Sequence, residues 1–128
     1  MFLFAADSKQ YLNHYNNFYN DLTNYIVAVN DTIDNVSIAA GKGTDINFSK
    51  FKSVTGWTRI IVNISFWNAS SGGTGYSNCT NYAILYSSSG VNMQCRNFAS
   101  TNIKIKVSVT CLYFKSELIE STTIPNPR

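Results

Sequence analysis

Residues 102–114, NIKIKVSVTCLYF, form the longest unbroken alternation of apolar and polar residues in the chain. Ile103, Ile105, Val107, Val109, Cys111 and Tyr113 fall on one side, and Lys104, Lys106, Ser108 and Thr110 on the other. This period of two predicts a β-strand with one dry face and one wet face. Leu112 and Phe114 break the polar side near its end, so that end is expected to lie against a neighbouring subunit or a stem, as an oligomer contact. The dry face needs partner strands, and residues 36–98 are their expected source.

Working back from this strand, Val91–Arg96 places Val91, Met93 and Cys95 inward, and Ser87-Ser88-Ser89-Gly90 is a turn joining it to Cys79–Tyr86. Ala69–Asn78, ASSGGTGYSN, reads as the most flexible segment. In Thr58–Trp67, Ile60, Val62, Ile64 and Phe66 alternate against Ile61, Asn63, Ser65 and Trp67. The second side is apolar enough to ask for cover from a neighbouring chain. Phe51–Thr55 is a loop, and Asn35–Ala40 and Thr44–Lys50 read as a hairpin about Gly41-Lys42-Gly43. Short Gly/Ser turns with no helical period between strands predict a mainly β fold, an antiparallel sandwich of about six to seven strands. A parallel α/β sheet is excluded by the missing crossover helices.

Upstream the period changes. Tyr11, Tyr15, Phe18, Leu22, Tyr25 and Val29 step by four and three, the a/d seam of a coiled coil. Ser8 can cap this predicted helix, which runs to Asp34. Asn16, Asn17, Asn20 and Asn24 are poor helix formers, so such a helix needs partners. These are either the β-domain of its own chain or two further copies in a trimeric stem. The expected organisation is therefore a helical stem over 1–34, a β-sandwich over 35–115, and an irregular tail over 116–128 ending in IPNPR. Met1–Ala6 is apolar but has no basic flank and is too short for a signal-peptide core or a membrane span, so no span is expected.

At 128 residues and 14.3 kDa there is room for one domain and an appendage. Charged residues make up 13% and aromatics 14%, while about a third are Asn, Ser or Thr, so solubility rests on uncharged polar groups. The charge is asymmetric: residues 1–34 carry Lys9 against four aspartates, and residues 35–115 carry eight cations against Asp45 alone. A basic module suits an anionic surface such as a bacterial wall polymer, and the same charges also serve as solvating lysines; nucleic acid is not an expected partner. Cys79, Cys95 and Cys111 are sixteen residues apart and odd in number, so at most one intramolecular pair can form. They read as small buried residues of a protein assembled in a reducing compartment. No metal site is expected, since there is no C-x-x-C and His14, the single histidine, lies far from the cysteines. Six N-glycosylation sequons read as accidents of composition. Residues 35–115 hold one carboxylate and no histidine, so neither a carboxylate pair nor a triad can be assembled there. Gly72-Gly73-Thr74-Gly75 has no following helix or lysine to hold a phosphate. The expectation is no enzyme and no cofactor.

With the strands placed, four pieces, VSIAAGKGTDINF, VTGWTRIIVNISFWN, NCTNYAILYSSSGVNMQCRNFAS and IKIKVSVTCLYFK, resemble the carboxy-terminal knob of tail or receptor-binding fibres of bacteriophages and prophages. The resemblance covers nearly two thirds of the chain and implies a β-sandwich that trimerises behind a helical or fibrous stem. The chain departs from that pattern in its shortness, which lacks the long shaft and attachment domain of tail fibres. The resemblance leaves three explanations of that shortness: a small head-fibre or decoration protein, an independently made carboxy-terminal fragment of a longer fibre, or a truncated chain. The first is the expectation, with residues 1–34 as stem and virion-anchoring segment and 35–115 as the knob, located in the virion as a homotrimer with other capsid or tail proteins as partners. Phe2, Leu3 and Phe4 are its candidate virion anchor. Trp67, Asn68 and Tyr76 are the candidate contact for an anionic host-surface glycan, by an aromatic platform beside an amide. The alternatives are a purely structural capsid or tail decoration protein and a secreted cellular adhesin.

Overall fold

The computed structural model describes residues 24–120, and six strands account for most of them. They are β1 (Ile26–Ile38), β2 (Gly43–Phe48), β3 (Trp57–Asn68), β4 (Cys79–Ser87), β5 (Gly90–Asn97) and β6 (Ile103–Lys115). A single 3-10 turn, Tyr76–Asn78, precedes β4, and a short helix, α1 (Ser116–Glu120), follows β6. The strands form two three-stranded antiparallel sheets, ordered β1-β6-β3 and β2-β5-β4. The protein is therefore mainly β, as the alternation predicted.

The central strand of the first sheet is the stretch with the cleanest alternation. In β6, Ile105, Val107 and Cys111 are fully buried and Ile103, Val109 and Tyr113 nearly so, while Lys104, Lys106, Ser108 and Thr110 are only partly covered. From the second sheet, Ile46, Phe48, Val91, Met93 and Cys95 join the same core cluster. Fully burying one such aliphatic side chain contributes about 1.5–3 kcal/mol, so this layer between the sheets dominates the stability.

Several expectations are corrected. The predicted helix to Asp34 gives way to strand from Ile26, so the β unit takes in residues that the seam reading placed in the stem. Val29 pairs with Cys111 and packs on the core instead of lining a stem, and Tyr25 stands just ahead of β1. A spacing of four satisfies a period of two as well as a heptad, and the β-branched run Ile26, Val27, Val29 favours strand. Tyr11, Tyr15, Phe18 and Leu22, with Phe2, Leu3 and Phe4, lie outside the described residues, as does the IPNPR end. The tail reading is revised at its start, where α1 occupies Ser116–Glu120.

β1 and β2 do not pair as a hairpin but enter different sheets, so Ala39–Lys42 is an arch between layers, closed by Lys42 N–H donating to Ala39 O at 3.0 Å. Gly41, at φ 68°, supplies the left-handed residue the arch needs. In β3 the register shifts between Ile61 and Asn63, leaving Val62 as an extra residue. The bulge reverses the parity, so Ile61, Ile64 and Phe66 pack on the core, while Ile60 and Val62 are 47% and 53% exposed. Similar shifts occur in β1 at Asp34-Asn35 and in β4 at Tyr82. Three of the four edge strands are thus bulged, which discourages further strand addition.

The two ends of the layered core are closed by polar groups. Asn97, fully buried, donates from Nδ2 to the carbonyls of Ile38 (3.1 Å), Ala39 (3.2 Å) and Thr101 (2.8 Å). Its Oδ1 accepts from Ala99 N–H at 2.8 Å. At the other end, Arg59 donates to the carbonyls of Phe51 and Ser87, with its guanidinium 5.6 Å from the Tyr86 ring centroid. Tyr113 Oη–H donates to Lys52 O at 2.6 Å. The glycine-rich segment predicted to be flexible is tied down. Ala69 and Thr74 N–H both donate to Lys104 O, Lys104 Nζ donates to Ser71 O, and Ser70 N–H donates to Asp34 Oδ1.

Candidate functional site

Three surfaces bring exposed aromatic and apolar groups together, while Tyr82, Leu85 and Phe98 are exposed elsewhere. The first contains the sequence-predicted contact. Trp67, 55% exposed, stands opposite Lys106 near the end of β3, and Asn68 closes the strand. Asn68 Oδ1 accepts from Tyr76 N–H at 3.2 Å, so the loop returns Tyr76, 48% exposed, to the same end of the sheet. Gly75 makes that return possible: it sits at φ 80°, and a Cβ there would meet Ile103 Cγ2 at 2.3 Å. The structure thus places Asn68 against the Tyr76 backbone and leaves both aromatic rings available to solvent. Lys104, which holds this loop, and Lys106, beside Trp67, give the corner its positive charge.

The second surface is the outer face of the β1-β6-β3 sheet, which is divided by rows. Ile26, Phe114 and Thr58 form one row, and Ala28, Leu112 and Ile60 the next. Asn30, Thr110 and Asn63, then Thr32, Ser108 and Ser65, continue the face as polar rows. Thr110 Oγ1 donates to Asn30 Oδ1 at 2.7 Å, and the hydroxyls of Thr32 and Ser108 share a hydrogen bond of 3.0 Å. The apolar end carries Leu112 and Phe114, which are half-buried in the single chain, beside the exposed Ile60 and Val62.

The third was not legible in the sequence. At the same end of the molecule, Val27, Val29, Lys50, Lys52, Val54, Trp57 and Tyr113 line an open cleft of about 410 Å³. Lys50 Nζ donates to Asn30 O at 2.7 Å across it. Lys115 Nζ stands 5.3 Å from the Tyr25 ring centroid and 5.8 Å from that of Trp57, which suits cation–π attraction. The walls come from strand ends and a loop far apart in sequence, so no local periodicity marks them. Its chemistry is that of an apolar groove with a cationic rim, able to take an apolar group ending in an acid.

Among the described residues no group of three or more His, Cys, Asp or Glu is placed to hold a metal ion. No helix among them is long and apolar enough to cross a membrane. All three cysteines are free; Cys95 and Cys111 are buried and Cys79 is half-buried. No family model, no curated protein and no solved structure matches this chain.

Proposed function

We propose that this protein is a bacteriophage virion protein: a β-sandwich knob that trimerises behind a stem carried by the seam Tyr11, Tyr15, Phe18 and Leu22, decorates the capsid or tail, and contacts the host cell surface. The observation that carries this reading is the apolar end of the β1-β6-β3 face. Ile60 and Val62 lie open to solvent beside Leu112 and Phe114, whereas the next two rows of that face are hydroxyl and amide. A single subunit gains nothing from such a band, and a contact between copies would bury it. The antiparallel two-sheet architecture agrees with the knob that the sequence resembles. In this reading Trp67 and Tyr76 offer ring faces to a sugar, Asn68 and the loop carbonyls offer hydrogen bonds, and Lys104 and Lys106 favour an anionic glycan.

Light scattering of the purified chain is expected to return three times 14.3 kDa, and Ile60→Lys with Leu112→Glu is expected to lower that mass. A wild-type monomer at micromolar concentration refutes the trimer. Cell-binding and glycan-array assays with Trp67→Ala and Tyr76→Ala test the contact. Wild-type-like binding by both variants removes these residues from it, and deletion that leaves adsorption intact reduces the role to decoration.

A further inference from the structure

Cys79 and Cys95 lie on neighbouring antiparallel strands, β4 and β5. Cys95 pairs with Asn81, two residues along from Cys79, so the two thiols are diagonal neighbours on the inward side. They are close enough to share a hydrogen bond. Diagonal neighbours stand about 7–8 Å apart at Cα, and a disulfide spans about 4.4–6.8 Å, so joining them asks β4 to move by about 1 Å. β4 is an edge strand held on one side by β5, with its bulge at Tyr82 just beyond, which gives it that freedom. Access is unequal, since Cys95 is 0% exposed and Cys79 is half-buried. The hydrogen bond from Cys95 draws the Cys79 thiol below its ordinary pKa, while the same bond and burial push the Cys95 thiol up. Cys111 is outside their reach: it sits on the other sheet, between Val29 and Ile61, where burial raises its pKa.

We infer that Cys79 and Cys95 are an oxidisable dithiol that closes to a cross-strand disulfide on meeting a low-molecular-weight disulfide, with Cys79 as the attacking thiol and Cys95 as the resolving one. The Cys79 thiolate attacks one sulfur of the oxidant RSSR, and a mixed disulfide forms as RS⁻ leaves. Cys95 then gives up its proton and attacks Cys79 Sγ, expelling the second RS⁻. The protons lost by the two cysteines end on the two thiols released, so the protein dithiol is oxidised and RSSR is reduced to two RSH. The product pins the start of β4 to β5 beside the segment that carries Tyr76. This inference is independent of the virion reading.

The test uses oxidised glutathione on the native wild-type chain, followed by acid quench, alkylation after denaturation and peptide mass mapping. Alkylatable thiols are expected to fall from three to one, with Cys111 the survivor and the Cys79 and Cys95 peptides joined; dithiothreitol restores all three. Cys95→Ala is expected to stop at a glutathione adduct on Cys79, and Cys111→Ala to close as wild type does. In Cys79→Ser, thiol loss is expected to slow by about tenfold or more, because the buried thiol has little thiolate and little access. The inference is overturned if wild type keeps three thiols, stops at the Cys79 adduct, or yields only covalent dimers through Cys79.

Discussion

Replacing Asn97 by alanine removes the buried amide that ties two arches of the fold together, leaving the exposed bond from Ala40 N–H to Asn102 Oδ1. Its Nδ2 serves the carbonyls of Ile38, Ala39 and Thr101, and its Oδ1 takes the Ala99 N–H, all beside a fully buried side chain. Two N–H groups reach three carbonyls, so about three full hydrogen bonds are lost. Each is worth about 1 kcal/mol net, and the backbone groups left unpaired beside a buried side chain add a penalty of about 1–3 kcal/mol. The expected loss is roughly 4 kcal/mol, a large part of the stability of a domain this size. At about 4–8 °C per kcal/mol, the thermal midpoint falls by about 16 °C or more. Asn97→Asp keeps the shape and the Ala99 contact but turns a carboxylate toward three carbonyls, so it is expected to be at least as damaging. Urea unfolding followed by tryptophan fluorescence measures both. A loss below about 1 kcal/mol for Asn97→Ala, with an unchanged m-value, would show that the backbone hydrogen bonds hold the arches without the amide.

Three other perturbations probe different parts of the fold. Gly75→Ala puts a methyl 2.3 Å from Ile103 Cγ2 at a positive φ, and is expected to cost about 2 kcal/mol and to free the Tyr76 corner, read as faster amide exchange at Thr74 and Tyr76. Arg59→Met keeps the stem of the side chain but removes its bonds to the Phe51 and Ser87 carbonyls, so a loss of about 2 kcal/mol in urea unfolding is expected, and a neutral result refutes the clamp. Asp34 titrates below the ordinary aspartate range, chiefly because its carboxylate accepts hydrogen bonds from Ser70 and also from Asn35 N–H. A lowered folded pKa means the stabilisation is present above about pH 4 and fades as pH falls through the folded value. Acid titration by NMR should therefore show the Ser70 amide moving with Asp34 at a pH below the ordinary aspartate midpoint, and Asp34→Asn should abolish that movement.

The sequence by itself determined the strands with an unbroken parity. In β6 and β5, Ile103, Ile105, Val107, Val91, Met93 and Cys95 are inward as their alternation required, because both are central strands with partners on each side. The Ser87–Gly90 turn was equally legible, since it joins strands that pair directly. Tertiary structure decided the rest. The bulge at Val62 exchanges Ile60 for Ile61 on the core side, and a single inserted residue has no signature in a run that is apolar on both faces. The arch at Gly41 looks like a hairpin turn until the pairing of β1 with β6, and of β2 with β5, sends its two arms into different sheets. Tyr25 and Val29 fit a heptad and a strand alike, and the partner across the sheet, Cys111 for Val29, resolved which period applied. The glycine-rich loop is held by Lys104 and Asp34, whose distance in sequence hides the contact. The candidate contact was half legible: Trp67 and Asn68 are adjacent in the chain, whereas Tyr76 joins them only through the Asn68 side chain and the turn at Gly75. Local periodicity records which face of a strand is dry. Which strand lies beside it depends on contacts between distant residues, and these exist only once the two sheets have met.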